Sequence, residues 1–114
     1  MKKQKGGGYM KLYRSIAYSA ELTATEKLIW CIIADKVEAE EHFHNTKWAV
    51  LSISETAKSL GVARNTAVKA LHKLCECGLV ERQMTIIPGY PDKYTVPSQD
   101  VADAIIESLA RHGQ

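Results

Sequence analysis

Between residues 52 and 78 the chain carries two short amphipathic segments separated by Gly61-Val62-Ala63. Ser52 and Glu55 stand at capping-box spacing, Ala57 and Leu60 supply a brief apolar side, and Gly61 closes the segment, which predicts a short helix. Arg64 to Cys77 predicts a second helix: Ala67, Ala70, Leu71 and Leu74 form one stripe, and Gly78 stands where a terminating glycine belongs. Leu79 to Met84 and Lys93 to Val96 then alternate loosely around Pro88-Gly89-Tyr90-Pro91-Asp92, a run of turn formers, so a hairpin with an exposed tip follows at once. A tight helix pair leading into a hairpin restricts the chain to a mainly α fold with a small β-hairpin, an α+β class.

The flanking sequence fits one domain, since 114 residues is a common single-core size. Thr23 and Glu26 form a capping box, and Leu28, Ile29, Ile32, Ile33 and Val37 recur at helical steps, with Glu26, Lys27, Asp35, Lys36 and Glu38 assigned to the wet side. Glu38 to Thr46 loses that periodicity and reads as a solvated helix end and loop. Trp48 to Leu51 suits one strand, and Trp30 and Trp48 read as core aromatics. Tyr9 to Ala20 is weakly helical in pattern. Ser98 can cap a last helix lined by Val101, Ala102, Ile105, Ile106 and Leu109. The expected organisation is a flexible basic arm over residues 1–8, a domain over 9–97, and an amphipathic helix over 98–114 that is a candidate dimerisation element.

The run Leu60-Gly61-Val62-Ala63-Arg64-Asn65-Thr66-Ala67 through Gly78-Leu79-Val80-Glu81-Arg82 resembles the turn, recognition helix and first wing strand of GntR-like regulators, whose usual form is LGVSRNTVxxALxxLxxxGLVxR. Ala63 departs from the usual capping Ser, and Ala67 from the usual Val. Further upstream, Leu22-Thr23-Ala24-Thr25-Glu26-Lys27-Leu28-Ile29-Trp30, with Tyr13-Arg14-Ser15-Ile16 before it, resembles the amino-terminal domains of plasmid and phage replication initiators. Both resemblances imply a winged helix-turn-helix, and together they span residues 9 to 96. They leave the biological job open among regulators, replication initiators, partition adaptors and protein-interaction modules.

The second helix of the pair can be read from side-chain directions alone. With its apolar stripe inward, Arg64, Asn65, Val68, Lys69, His72 and Lys73 face away. In a major groove Arg can grip guanine, Asn can pair with adenine and Val68 can meet a thymine methyl, while Thr66 and the helix start suit a phosphate. Lys69 and Lys73 fit either purpose. The bland reading of the same residues is a solvated helix surface. Arg82, Tyr90 and Lys93 on the hairpin, and Lys2, Lys3 and Lys5 on the arm, are further candidate DNA contacts. The expected partners are double-stranded DNA and a second copy of the chain, with a replication or partition protein as the alternative.

Charge distribution supports a polarised molecule despite a net charge of only +2. Residues 1–14 hold five cations and no acid, whereas residues 21–41 hold six acids against two lysines. The longest apolar run, Leu28 to Ala34, is far shorter than the roughly twenty residues of a membrane-spanning helix. Neither an apolar stretch following the basic start nor an even cysteine count points to export, so a reduced, cytoplasmic setting is expected. Cys31, Cys75, Cys77, His42, His44 and His72 are residue types that could ligate a metal; Cys75 and Cys77 are spaced so that they diverge on a helix, and no metal or cofactor is expected. No phosphate loop, HExxH or nucleophile elbow occurs, and an enzyme is not expected.

Overall fold

The computed structural model describes residues 12–112. Helix α1 (Arg14–Ala17) is a single turn, and the rest of the helical pattern read over Tyr9 to Ala20 is not realised within the described residues. Helix α2 (Ala24–His44) begins at a full capping box: Glu26 N–H donates to Thr23 Oγ1 at 3.1 Å, and Thr23 N–H donates to Glu26 Oε1 at 2.9 Å. Strand β1 (Ala49–Val50), helix α3 (Ile53–Leu60) and helix α4 (Arg64–Cys77) follow. Strands β2 (Glu81–Gln83) and β3 (Lys93–Thr95) make the hairpin, and α5 (Gln99–His112) ends the described chain.

Three features of α2 correct the sequence reading. Glu38 to Thr46, expected to be a solvated helix end and loop, is helical as far as His44, and the helix stops at Asn45 in the left-handed conformation. Glu38, Ala39, Glu40 and Glu41 sustain helical backbone without an apolar stripe, so loss of periodicity marks loss of burial rather than loss of helix. Leu28, expected inside, is 51% exposed, while Trp30, Cys31 and Ala34 are buried. Glu26, expected on the wet side, is only 7% exposed, because its carboxylate is committed to the cap.

The sheet has the order β1-β3-β2 and is antiparallel throughout, with Tyr94 of β3 opposite both Ala49 and Arg82. The short strand before α3 therefore completes the sheet of the hairpin that follows α4. Trp48, just before it, is half-buried rather than a core residue. The core lies under this sheet and among α2, α3 and α4, built from Ile29, Trp30, Ile33, Ala67, Leu74, Leu79 and Val80. Trp30 is fully buried; its Nε1–H donates to Leu79 O at 2.9 Å, and its ring centroid lies 4.9 Å from that of Tyr13. Satisfying the indole N–H lets the largest side chain of the core pack there without an orphaned donor.

Helix α5 packs back on α1 through buried Ala102, with Ile105 and Ile106 against the core. Tyr13 OH donates to Pro97 O at 3.5 Å, and Ser15 Oγ donates to Asp103 Oδ1. Val101 stays exposed. No helix among the described residues is long and apolar enough to cross a membrane.

Candidate nucleic-acid interface

The helix pair is held at its turn by backbone chemistry. Ser52 Oγ accepts from Glu55 N–H at 3.2 Å to start α3. Gly61 takes φ +70° to end it, and Val62 N–H donates back to Ala57 O at 3.0 Å. A Cβ added at Gly61 would meet nothing within 4 Å, so glycine is required for its left-handed backbone rather than for space. Ala63 occupies the N-cap of α4 and makes no side-chain cap bond, as its departure from the usual serine implies.

One side of α4 is fully committed to the core through Ala67, Ala70, Leu71 and Leu74. At 100° per residue the opposite side presents Asn65, Lys69, His72 and Glu76, with Arg64 and Val68 on one flank and Thr66 and Lys73 on the other. Arg64, Asn65, Thr66, Val68, Lys69 and His72 are all exposed. Arg64, Val68 and His72 line a cleft of about 280 Å³ with Cys75 of α4, Ile53 of α3, and Arg82 and Tyr94 of the hairpin. Helix α4 and the hairpin base thus share one continuous surface. Thr66 and Lys69 border the other flank, toward Thr23 and Thr25 at the start of α2.

Lys73 is placed differently from the rest. Its Nζ donates to Glu21 O at 2.8 Å and lies 3.3 Å from Glu26 Oε1, so its charge is turned toward the start of α2. Glu76, which the sequence reading did not single out, is exposed on the outward face, 3.8 Å from His72 Nδ1. A carboxylate there repels phosphate and confines an anion-friendly surface to the first turns of α4.

On the hairpin, Arg82 Nε–H donates to Asp92 Oδ2 at 2.8 Å, and Asp92 Oδ1 accepts from Thr85 N–H at 3.1 Å. The Thr85 N–H and the Arg82 guanidinium hold the Asp92 carboxyl below its usual range. Arg82 is therefore paired within the wing. Tyr90 is exposed at the tip and Lys93 is exposed at the start of β3. Lys2, Lys3 and Lys5 lie outside the described residues.

Among the described residues, no group of three or more His, Cys, Asp or Glu side chains is placed to hold a metal ion. Cys31 is buried, Cys75 and Cys77 are half-buried, and burial pushes the thiols of Cys31 and Cys75 up from their usual range.

A family model described as a helix-turn-helix domain matches residues 20–80, more than half of the chain. The chain belongs to the helix-turn-helix domain family. The matched segment of this helix-turn-helix protein runs from just before α2 to the end of α4 and the two buried residues that follow it, Leu79 and Val80. The fold is similar to that of a solved structure, a possible transcriptional regulator from Methanosarcina mazei Go1, with a TM-score of 0.51 and 17% identity over 86% of this chain and 72% of that one. Comparison with curated proteins finds no match. With its hairpin and third strand, the helix-turn-helix is of the winged type.

Proposed function

We propose that this protein binds duplex DNA in a sequence-specific manner, with α4 in the major groove, and acts as a small transcriptional regulator. The observation that carries the reading is the division of α4. Its inner side is wholly buried, and its outer side and flanks present Arg64, Asn65, Val68, Lys69 and His72 together. Arg64 and Asn65 stand in the first turn, the part of a recognition helix that meets base edges, while Val68 offers an apolar contact for a thymine methyl. Thr66 and Lys69 suit the adjoining phosphates. Lys2, Lys3 and Lys5 would add electrostatic contacts from the arm, and Lys93 from the wing.

The resemblance to GntR-like regulators and to replication initiators favours a role in control of a plasmid, phage or other accessory element. We assign the protein no catalytic activity and no cofactor. A homodimer is the expected binding form, because two-fold proteins read inverted half-sites and a single short module has limited affinity.

Selection of sites from a random duplex pool tests this reading. The expected result is a recurrent inverted motif bound at least about a thousandfold more tightly than scrambled DNA. Absence of an enriched motif, with binding that vanishes as salt rises, would overturn base reading and favour a protein-interaction module.

A further inference from the structure

The wing tip is built against the usual electrostatics of a DNA contact. In residues 83–93 the charged residues are Asp92 and Lys93, and Asp92 is already paired with Arg82. The tip exposes large apolar side chains instead: Ile86 is 96% exposed, Met84 70%, Tyr90 66% and Ile87 54%. Such a concentration of apolar surface on a projecting loop is costly in water and marks a place where something docks.

The tip is also held in one shape. Tyr90 N–H donates to Ile87 O at 3.1 Å across Pro88 and Gly89, and Gly89 takes φ +87°, the arrangement of a type II turn with proline second and glycine third. Ile87 N–H donates to Thr85 Oγ1 at 3.2 Å, and Asp92 clips Thr85 N–H from the opposite strand. A fixed backbone carrying unpartnered isoleucines gives a preformed wedge, with little ordering entropy left to lose on docking.

We infer that this tip, through Ile86 and Ile87, is an apolar wedge that enters the DNA minor groove next to the major groove occupied by α4 and partly unstacks a base step there. The inference rests on the DNA-binding reading above. Continuity of surface selects DNA as the occupant: Arg82 and Tyr94 at the base of the same hairpin share a cleft with Arg64, Val68 and His72 of α4. A duplex lying on α4 therefore runs on toward the hairpin. Isoleucine and methionine are among the side chains suited to wedging between base steps, and they bend the duplex toward the major groove as they do so. Contact of this kind adds no counterion release, so Ile86 and Ile87 would contribute affinity that salt does not weaken.

The test uses the full chain and the duplex it selects. Resonance energy transfer between labelled DNA ends should report a bend of about 20° or more in the wild-type complex. The double substitution Ile86→Ser, Ile87→Ser should abolish the bend and weaken binding about tenfold or more, with the slope of affinity against salt unchanged. Ile86→Met with Ile87→Met should retain both bend and affinity. An unbent wild-type complex, or serine variants that bind and bend like wild type, would overturn the wedge while leaving DNA binding intact. Serine variants that shift free protein from dimer to monomer in sedimentation, with the bend unaltered, would assign the tip to a second copy and equally overturn it. A wild-type chain that enriches no duplex would instead bring down the DNA-binding reading, and the wedge with it.

Discussion

The ammonium of Lys73, in the second half of α4, lies 3.3 Å from the carboxylate of Glu26, whose side chain is buried at the start of α2. Glu26 also accepts from Thr23 N–H at 2.9 Å, and Lys73 also donates to Glu21 O at 2.8 Å. One acid thus caps its own helix and anchors the recognition helix to it. Removing the cation leaves a mostly buried carboxylate with only its cap bond. Lys73→Met is therefore expected to destabilise the fold by about 1 to 2 kcal/mol in urea unfolding. The salt slope of DNA binding should stay at its wild-type value, whereas Lys69→Met should reduce it by about 1. A reduced slope in the Lys73 variant would return that residue to the DNA contacts.

Arg64→Ala and Asn65→Ala should each weaken the selected site by about 1 to 3 kcal/mol and relax base preference at one position. Competition with single-base variants of the site measures this. Equal losses on the selected site and on random DNA would remove both residues from base reading.

The bare N-cap of α4 offers a gain of stability. Ala63 makes no side-chain cap bond although its backbone already has the extended conformation of a cap, with φ −67° and ψ 150°. Ala63→Ser should add about 1 kcal/mol, read as a higher urea midpoint at unchanged m-value. No gain would mean that the N–H groups of the first turn are already satisfied by solvent.

The wing clip is pH-dependent. The Thr85 N–H and the Arg82 guanidinium hold the Asp92 carboxyl below its ordinary 3.8. Its contribution to wing order is therefore fully present above that value and is lost as pH falls through the lower folded value. Protection of the Thr85 and Ile87 amides, taken relative to intrinsic exchange at each pH, should fall on acidification in that window, and Asp92→Asn should show quicker exchange than wild type at neutral pH. Exchange in the variant that matches wild type would show that the turn bonds alone order the tip.

The parts of the fold that local chemistry encodes were legible from residues alone. Helix α4 runs from Arg64 to Cys77 as its stripe and terminating glycine predict, and Thr23 with Glu26 forms the predicted capping box. What escaped depends on partners distant in the chain. Lys73 reads as one more outward cation until Glu21, far upstream, is seen to accept from it. Glu26 reads as solvated because charge usually is; its cap with Thr23 is local and legible, but Lys73, which lies against the same carboxylate, comes from far downstream. The turn residues at the wing tip are legible in the sequence, but the neighbouring Ile86 and Ile87 do not declare whether they face a core or water, since a short hairpin has little periodicity to show.

Strand β3 is paired on both edges, by β1 from ahead of the helix pair and by β2 from behind it. The sheet therefore acts as a buckle, fastening the chain on either side of α3 and α4 into a closed loop. A fragment cut after residue 80 would keep every helix of the recognition unit yet leave Ala49 and Val50 with no strand to pair. The buckle also joins the helix pair to the wing: Tyr94 sits across from both Ala49 and Arg82, so the entrance to α3 and the first wing strand are held by one residue. Cutting that one strand would therefore release the helix pair and the wing together.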